Sequence, residues 1–137
     1  MSYGASAALL QAVYQRLISD TVLNSLVNGA IYDRLPEGNL PPLYISLGPE
    51  QVRSGADKTG RGAWHRFTVS VVSDTTGFFA AKEVAAAISD ALIDAPLSLS
   101  RGVLAGLHFF RARAQQEGTG DVRRIDLIFR ARIDDTA

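Results

Sequence analysis

The segment RSGADKTGRG, residues 53–62, is the first place where residue types and spacing could perform chemistry. Gly55 and Gly60 have the GxxxxG spacing of a loop that cradles phosphate groups with its backbone N–H groups. Such a loop also needs a lysine and a hydroxyl residue after the second glycine, and Arg61 and Gly62 occupy those positions. Strands are predicted on both sides, so no helix N-terminus would face an anion. The segment is therefore interpreted as a mobile polar loop rather than a nucleotide site.

The other residue types that carry chemistry form no catalytic or metal-binding pattern. His65 and His108 are the only histidines, and neither has a second His, Asp or Glu at the close spacing that builds a metal site. Each is interpreted as a strand residue at a sheet face or a subunit contact. No serine lies in a G-x-S-x-G turn, no carboxylates are obviously paired, and the chain has no cysteine. We therefore expect no catalytic residue, no metal ion and no cofactor.

Arginine is the one residue type that is concentrated in a small part of the chain. The last two predicted strands contain Arg111, Arg113, Arg123, Arg124, Arg130 and Arg132. Because side chains alternate along a strand, Arg111 and Arg113 should project from one side, and so should Arg130 and Arg132. One interpretation is a solvated sheet face, on which outward charges are usual. The alternative is an interface in which these guanidiniums meet acidic groups of a neighbouring subunit or, less readily, nucleic acid phosphate.

The periodicity of apolar residues predicts the elements that position these side chains. Ser6 is a plausible N-cap of the first helix, Asp20 caps a further short turn, and Asn28-Gly29 ends that turn. The predicted elements are a helix ending near Ile18, the short turn, strands at 31–35, 43–48 and 63–73, a helix from about Phe78 to before Pro96, and strands near 104–114 and 122–133. Antiparallel connections and helices grouped on one face indicate an α+β fold, with a mainly antiparallel sheet of about five strands and two main helices packed on one face. Residues 1–137 are predicted to form a single domain with an extended polar loop at 53–62.

Charge balance and hydropathy exclude some classes of partner. Lys plus Arg is 14 and Asp plus Glu is 14, so net charge gives no reason to expect nucleic acid or an anionic membrane as the main partner. The N-terminus has no signal-peptide pattern, and no run approaches the roughly 20 apolar residues of a membrane helix. We expect a protein that is neither exported by a signal peptide nor embedded in a membrane.

The order of the elements resembles a known family. The segments AVYQRL, IYDRLPEGNLPPLYISLG, TGRGAWHRFTVSVVS, AAKEVAAAISDALIDAPLSL and RRIDLIFRARI together resemble the tail-completion, or tail terminator, proteins of long-tailed phages and phage-derived gene transfer agents. The likeness covers nearly the whole chain. It depends on the joint order of apolar and turn residues and not on a catalytic signature.

The resemblance implies a non-enzymatic virion structural protein. It implies a hexameric ring that caps the tail tube, terminates tube polymerisation and joins the tail to the head connector or stopper protein. DNA would pass through the ring lumen without specific binding, and no membrane would be involved. The protein would be made in the bacterial cytoplasm and assembled at the head–tail junction of a phage or phage-like particle. The candidate contacts to other subunits or to the tube protein are Arg53, Asp57, Lys58, Arg61, Trp64, Arg111, Arg113, Arg130 and Arg132.

Two alternatives stay open on the sequence. Another head–tail neck component, such as a stopper or adaptor, shares the structural class. A small-molecule-binding or enzymatic α+β domain would instead need a concave pocket with convergent polar groups.

Overall fold

A computed structural model of the chain describes residues 3–55, 62–74, 77–93, 96–118 and 122–135. In chain order the elements are α1 (Ser6–Ile18), α2 (Thr21–Val27), β1 (Ile31–Tyr32), β2 (Leu43–Ser54), β3 (Gly62–Ser73), α3 (Phe79–Leu92), β4 (Val103–Gln116) and β5 (Arg123–Asp134). The five strands form one sheet in the order β1-β2-β3-β5-β4. All neighbouring strands are antiparallel except β1 and β2. The α+β prediction, with a mainly antiparallel five-stranded sheet, is confirmed.

The pairing of β1 with β2 departs from the predicted antiparallel connections. Ile31 lies opposite Ile45 and Tyr32 opposite Ser46, with the strands running in the same direction. Parallel neighbours require a connection that returns the chain to the starting end of the sheet, and residues 33–42 provide it. The predicted strand at 31–35 is therefore reduced to two residues.

Local capping signals account for the boundaries of α2 but not for the start of α1. The Asp20 side chain accepts a hydrogen bond from the Leu23 N–H at 3.0 Å, and Asn28 ends α2 in the left-handed conformation with φ of 53°. Both predictions are confirmed. Ser6, however, is the first helical residue of α1 and Ala5 is its N-cap. The Ser6 hydroxyl instead donates to Glu50 Oε1 at 2.6 Å, a tertiary contact that local sequence does not reveal.

The core lies between one sheet face and the helices. Helices α1, α2 and α3 contact one another, and α3 packs on β3 and β5. Phe129 of β5 is fully buried, stacked on Phe67 at 5.6 Å between ring centroids and edge-on to Phe109 at 6.0 Å. Burial of each such side chain stabilises the fold by about 1.5–3 kcal/mol. This layer leaves the other sheet face without a helix in the described part of the chain.

Strand β2 continues further than the sequence predicted. After a bulge between Leu47 and Glu50, it stays paired with β3 as far as Ser54 opposite Ala63. Arg53 and Ser54 therefore belong to a strand and not to the polar loop predicted at 53–62, because ladder pairing with β3 outweighs their polar character. At the other end of the predicted loop, Gly62 is the first residue of β3. Residues 56–61 lie outside the described residues.

Candidate functional site

The sheet face opposite the helices, hereafter the open face, carries most of the arginines. In β5 the side chains of Leu127, Phe129 and Ala131 are buried on the helix side, so Arg130 and Arg132 project from the other side. The register of β4 places Arg111 opposite Ile128 and Arg113 opposite Asp126, on the same open face. The arginines of each predicted pair thus share one face, as strand alternation indicated.

Five side chains at the centre of the open face form an arginine–aromatic cluster, namely Arg66, Arg130, Arg132, Trp64 and Phe110. The Arg130 guanidinium carbon lies 4.5 Å from the centroid of the Trp64 ring, and that of Arg132 lies 5.6 Å from it. The Arg66 guanidinium lies 4.2 Å from the Phe110 centroid and that of Arg130 lies 5.5 Å from it. Each such cation–π contact contributes about 0.5–1 kcal/mol at an exposed site. The rings therefore hold the guanidiniums in place while their N–H groups remain able to donate.

A β-bulge brings Phe110 to the open face. The register of β4 against β5 shifts between Phe109 and Arg111, so Phe110 is the extra residue. Phe109 consequently contacts the core ring of Phe129, and the next ring in the chain contacts Arg66 and Arg111. Because of the bulge, these two adjacent phenylalanines contact residues on opposite faces of one sheet.

The cluster concentrates positive charge, of which the Arg132 guanidinium has a carboxylate partner in the subunit, with its Nε 3.7 Å from Asp134 Oδ1. Arg66 of β3 lies directly opposite Arg130 of β5, and like charges in such cross-strand positions are destabilising. Within the described part of the chain, no carboxylate comes within 4.0 Å of Arg53, Arg66, Arg111, Arg113 or Arg130. The arrangement suits a surface that meets carboxylates of another protein.

One end of the open face is neutralised internally. Arg124 Nε lies 2.9 Å from Asp126 Oδ1, and its Nη1 lies 3.5 Å from Glu117 Oε1. The Ser70 hydroxyl donates to the same Asp126 oxygen at 2.6 Å. Arg113 lies opposite Asp126 in the ladder, but that carboxylate is held by Ser70 and Arg124. The excess of positive charge is therefore found at the end that carries the cluster.

The root of the predicted polar loop adjoins the cluster. The Gly55 N–H donates to Gly62 O at 2.8 Å, so the two strands remain paired up to these glycines. The Arg132 guanidinium lies against both, with Nη1 3.5 Å from Gly55 O, and a Cβ at either glycine would collide with it. The glycines thus permit a close approach of Arg132. A hollow of about 290 Å³ beside them is lined by Gln51, Arg53, Ser54, Gly55, Trp64, Arg66 and Arg130.

The structure brings some of the predicted contact residues together. Arg53 lies opposite Trp64, and Trp64 lies opposite Arg132, beside Arg130. Arg111 lies beside Phe110, 5.8 Å from its ring centroid, and Arg113 lies two residues further along β4. The three remaining predicted contacts are Asp57, Lys58 and Arg61, and they lie outside the described residues.

Two members of the cluster, Arg66 and Phe110, are not among the contact residues predicted from the sequence. Arg66 alternates with buried residues in the clearest predicted strand, so its outward position was predictable. Its place opposite Arg130 was not, because that follows from β3 pairing with β5. Phe110 carries no sequence signal, since the position of a bulge depends on the register of the partner strand.

The described residues include neither a group of metal-binding side chains nor a helix that could cross a membrane. No three His, Asp or Glu side chains among them are grouped so as to hold a metal ion. None of the three described helices combines the length and apolar character needed to cross a membrane.

His65 is buried on the helix side of the sheet and not at the open face. It is 1% exposed and lies between Val52 and Ala131, and neither ring nitrogen has a hydrogen-bond partner among the described residues. Burial lowers the pKa of His65 below its usual value of 6.5, while the nearby charge of Glu50 acts in the opposite direction. Of the two interpretations of His65, a strand residue at a sheet face or a subunit contact, the structure supports the first, with the ring on the buried face.

Lowering the pH should destabilise the fold through His65. The unfolded chain binds a proton at His65 near pH 6.5, while the folded chain binds it only at lower pH. Stability is therefore retained above about pH 6.5 and lost as the pH falls toward the lowered pKa, by about 1.4 kcal/mol for each pH unit that separates the folded and unfolded pKa values. Thermal unfolding at pH 7.5 and 5.5 measures this loss of stability as a fall in melting temperature of about 3–5 °C per kcal/mol.

The matched variants for that measurement are His65→Leu and His108→Leu. His108 is an exposed strand residue, so His108→Leu controls for the loss of a histidine that is not buried. His65→Leu should reduce the difference in melting temperature between the two pH values. An equal pH dependence in wild type and His65→Leu would show that His65 does not cause it.

Comparisons with known proteins point to one family. A family model described as "Tail completion protein gp17" matches residues 11–134. One chain of a solved structure described as "Virion of native gene transfer agent (GTA) particle" is 54% identical, with a TM-score of 0.92. That match covers 97% of this chain and 99% of the other. No curated protein sequence matches significantly.

Proposed function

Because the chain belongs to the tail completion protein gp17 family, structural components of phage-type tails, we propose that its copies form a closed ring that caps the tail tube. The ring terminates tube polymerisation and joins the tail to the head connector or stopper protein. It is hexameric, has no enzymatic activity and uses no cofactor. DNA passes through its lumen without specific binding, and the ring is assembled at the head–tail junction after synthesis in the bacterial cytoplasm.

The observation that carries this proposal is the uneven distribution of charge over a neutral chain. Among the described strand residues, the open face carries two aspartates, Asp126 and Asp134. It carries seven arginines, at positions 53, 66, 111, 113, 124, 130 and 132. Those strand positions therefore have an excess of five positive charges, and since the whole chain is neutral, the rest of it has an equal excess of negative charge. Subunits of a closed ring contact one another head to tail, through two different surfaces that must be complementary. A subunit with one basic surface and an acidic remainder meets that requirement.

Reversing two open-face charges should weaken ring assembly without unfolding the subunit. Wild-type protein is expected to form rings visible by electron microscopy, and Arg111→Glu with Arg113→Glu should shift it toward single subunits. Each exposed pair contributes only about 0–1 kcal/mol, so the two reversals together should weaken association by about tenfold at low salt. The loss should be smaller in high salt, because screening already weakens these contacts in the wild type.

The control is Lys82→Glu, a single reversal of the same kind at an exposed position of α3 on the helix side. It should assemble as the wild type does, and all three proteins should unfold at similar temperatures. Unchanged assembly of the double variant at low salt would show that Arg111 and Arg113 lie on a solvated sheet face and make no subunit contact.

A further inference from the structure

The hollow of about 290 Å³ beside Gly55, hereafter the arginine hollow, is lined by three arginines and by no acidic residue among the described ones. Three of its lining residues are exposed and form its rim, namely Gln51, Arg53 and Ser54. Trp64, Arg66 and Arg130 are less exposed and form its floor. The hollow therefore holds recessed cations that a narrow group could reach from outside.

The guanidiniums of the floor have hydrogen-bond donors without an acceptor in the subunit. A guanidinium carries five N–H groups. Neither Arg66 nor Arg130 makes a hydrogen bond or an ion pair with another residue in the described part of the chain. Their contacts are with the ring faces of Trp64 and Phe110. A partly buried polar group without an acceptor loses hydration that nothing in the subunit replaces, so these donors indicate an external partner.

The two floor arginines are also arranged around one position for an anion. Arg66 lies directly opposite Arg130 in the β3–β5 ladder, and their guanidinium carbons lie 4.2 Å and 5.5 Å from the Phe110 centroid. Like charges at opposite positions destabilise a sheet, and a negative group between them would offset this cost. One carboxylate has two oxygens and can accept from both guanidiniums. The floor of the arginine hollow is therefore suited to a single carboxylate.

The depth of the hollow favours a protein side chain over the phosphates of duplex DNA. Those phosphates lie on a wide, convex surface, so they meet cations that protrude from a protein. Arg66 and Arg130 are less exposed than Arg111 and Arg113 of the same face. A Glu or Asp side chain is narrow enough to pass the rim and reach them.

We propose that the arginine hollow is a socket for one Glu or Asp side chain of an adjoining protein subunit. The carboxylate enters past Arg53 and is held between Arg66 and Arg130. The place of the contact rests on the proposed function, in which the open face meets an acidic protein surface. The chemistry of the contact rests on the hollow itself.

The substitution Gln51→Glu tests the socket by supplying a carboxylate from within the subunit. Gln51 lies at the rim, directly opposite Arg66 in the β2–β3 ladder. A cross-strand pair of opposite charges stabilises a sheet, so the unassembled variant should melt about 1–5 °C higher at low salt. The same carboxylate should exclude an incoming one. The matched control is Gln11→Glu, the same change at an exposed position of α1, and it should shift the melting temperature less.

Binding is measured through Trp64, the only tryptophan of the chain, which lies on the floor of the hollow. The Arg130 guanidinium lies 4.5 Å from its ring centroid, so an anion that draws this guanidinium should change the fluorescence. Unassembled full-length protein is titrated at low salt with hexaglutamate peptide, short duplex DNA or inorganic phosphate. Hexaglutamate should change the emission of wild type and of Gln11→Glu alike. It should bind Gln51→Glu about tenfold more weakly or less.

The outcomes separate the socket from the ring. A response to hexaglutamate that Gln51→Glu weakens and Gln11→Glu does not supports the socket. Equal responses of the two variants, or no response in the wild type, would overturn the socket and leave the proposed ring intact. A stronger response to duplex DNA or phosphate, at equal concentration of charge, would overturn the assignment to a carboxylate. Absence of wild-type rings in electron microscopy, with the hexaglutamate response retained, would overturn the ring and not the socket.

Discussion

Particles produced without this protein are expected to have filled heads but tails that are unjoined or of uncontrolled length. The rings of a tail tube are joined by one repeated head-to-tail contact, and an open contact of that kind continues indefinitely unless a different surface covers the last ring. A capping ring supplies that surface and presents its other side to the head connector. Electron microscopy of particles from a deletion strain, with tail lengths measured, tests this expectation.

The control for the deletion is complementation. Wild-type protein supplied in trans should restore joined tails of uniform length. The double variant Arg111→Glu with Arg113→Glu should restore them less well, and Lys82→Glu should restore them fully. Deletion particles with joined tails of normal length would refute the proposed function.

Shortening the loop between β2 and β3 is expected to abolish ring formation or tail joining while leaving the fold intact. The Gly55 N–H donates to Gly62 O at 2.8 Å, so an Asn-Gly turn in place of residues 56–61 would close the two strands as a hairpin. Loop-closure entropy changes by only about 0.6 kcal/mol per doubling of loop length, so the melting temperature should move little. The replaced residues include the predicted contacts Asp57, Lys58 and Arg61, which we propose meet a neighbouring subunit or the tube. Without them, assembly should fail.

A second variant separates the length of the loop from its chemistry. Replacing residues 56–61 by six Gly and Ser residues keeps the length and removes the charges. Both variants are compared by thermal unfolding and by complementation of deletion particles. If the short variant melts normally and still joins tails, the loop has no role in assembly. If it fails to fold, the loop instead packs within its own subunit.

Local patterns in the sequence determined most of the elements. The alternation of Ile125, Leu127 and Phe129 predicted β5, because burial on one sheet face requires an apolar residue at every second position. The caps Asp20 and Asn28 predicted α2 for a similarly local reason. The same alternation predicted that the arginines of β4 and β5 would share faces, and the order of apolar and turn segments indicated the family.

Tertiary structure alone decided which residues meet. The order β3-β5-β4 places Arg66 opposite Arg130, the bulge at Phe110 turns that ring toward both, and β2 pairing with β3 brings Gly55 beside Arg132. The burial of His65 and the bond from Ser6 to Glu50 likewise depend on segments far apart in the chain. Periodicity records only whether a position faces the core or solvent, and this is set by neighbours a few residues away. Strand order and register are set by the summed packing of distant segments, so the arginine–aromatic cluster became visible only in the folded chain.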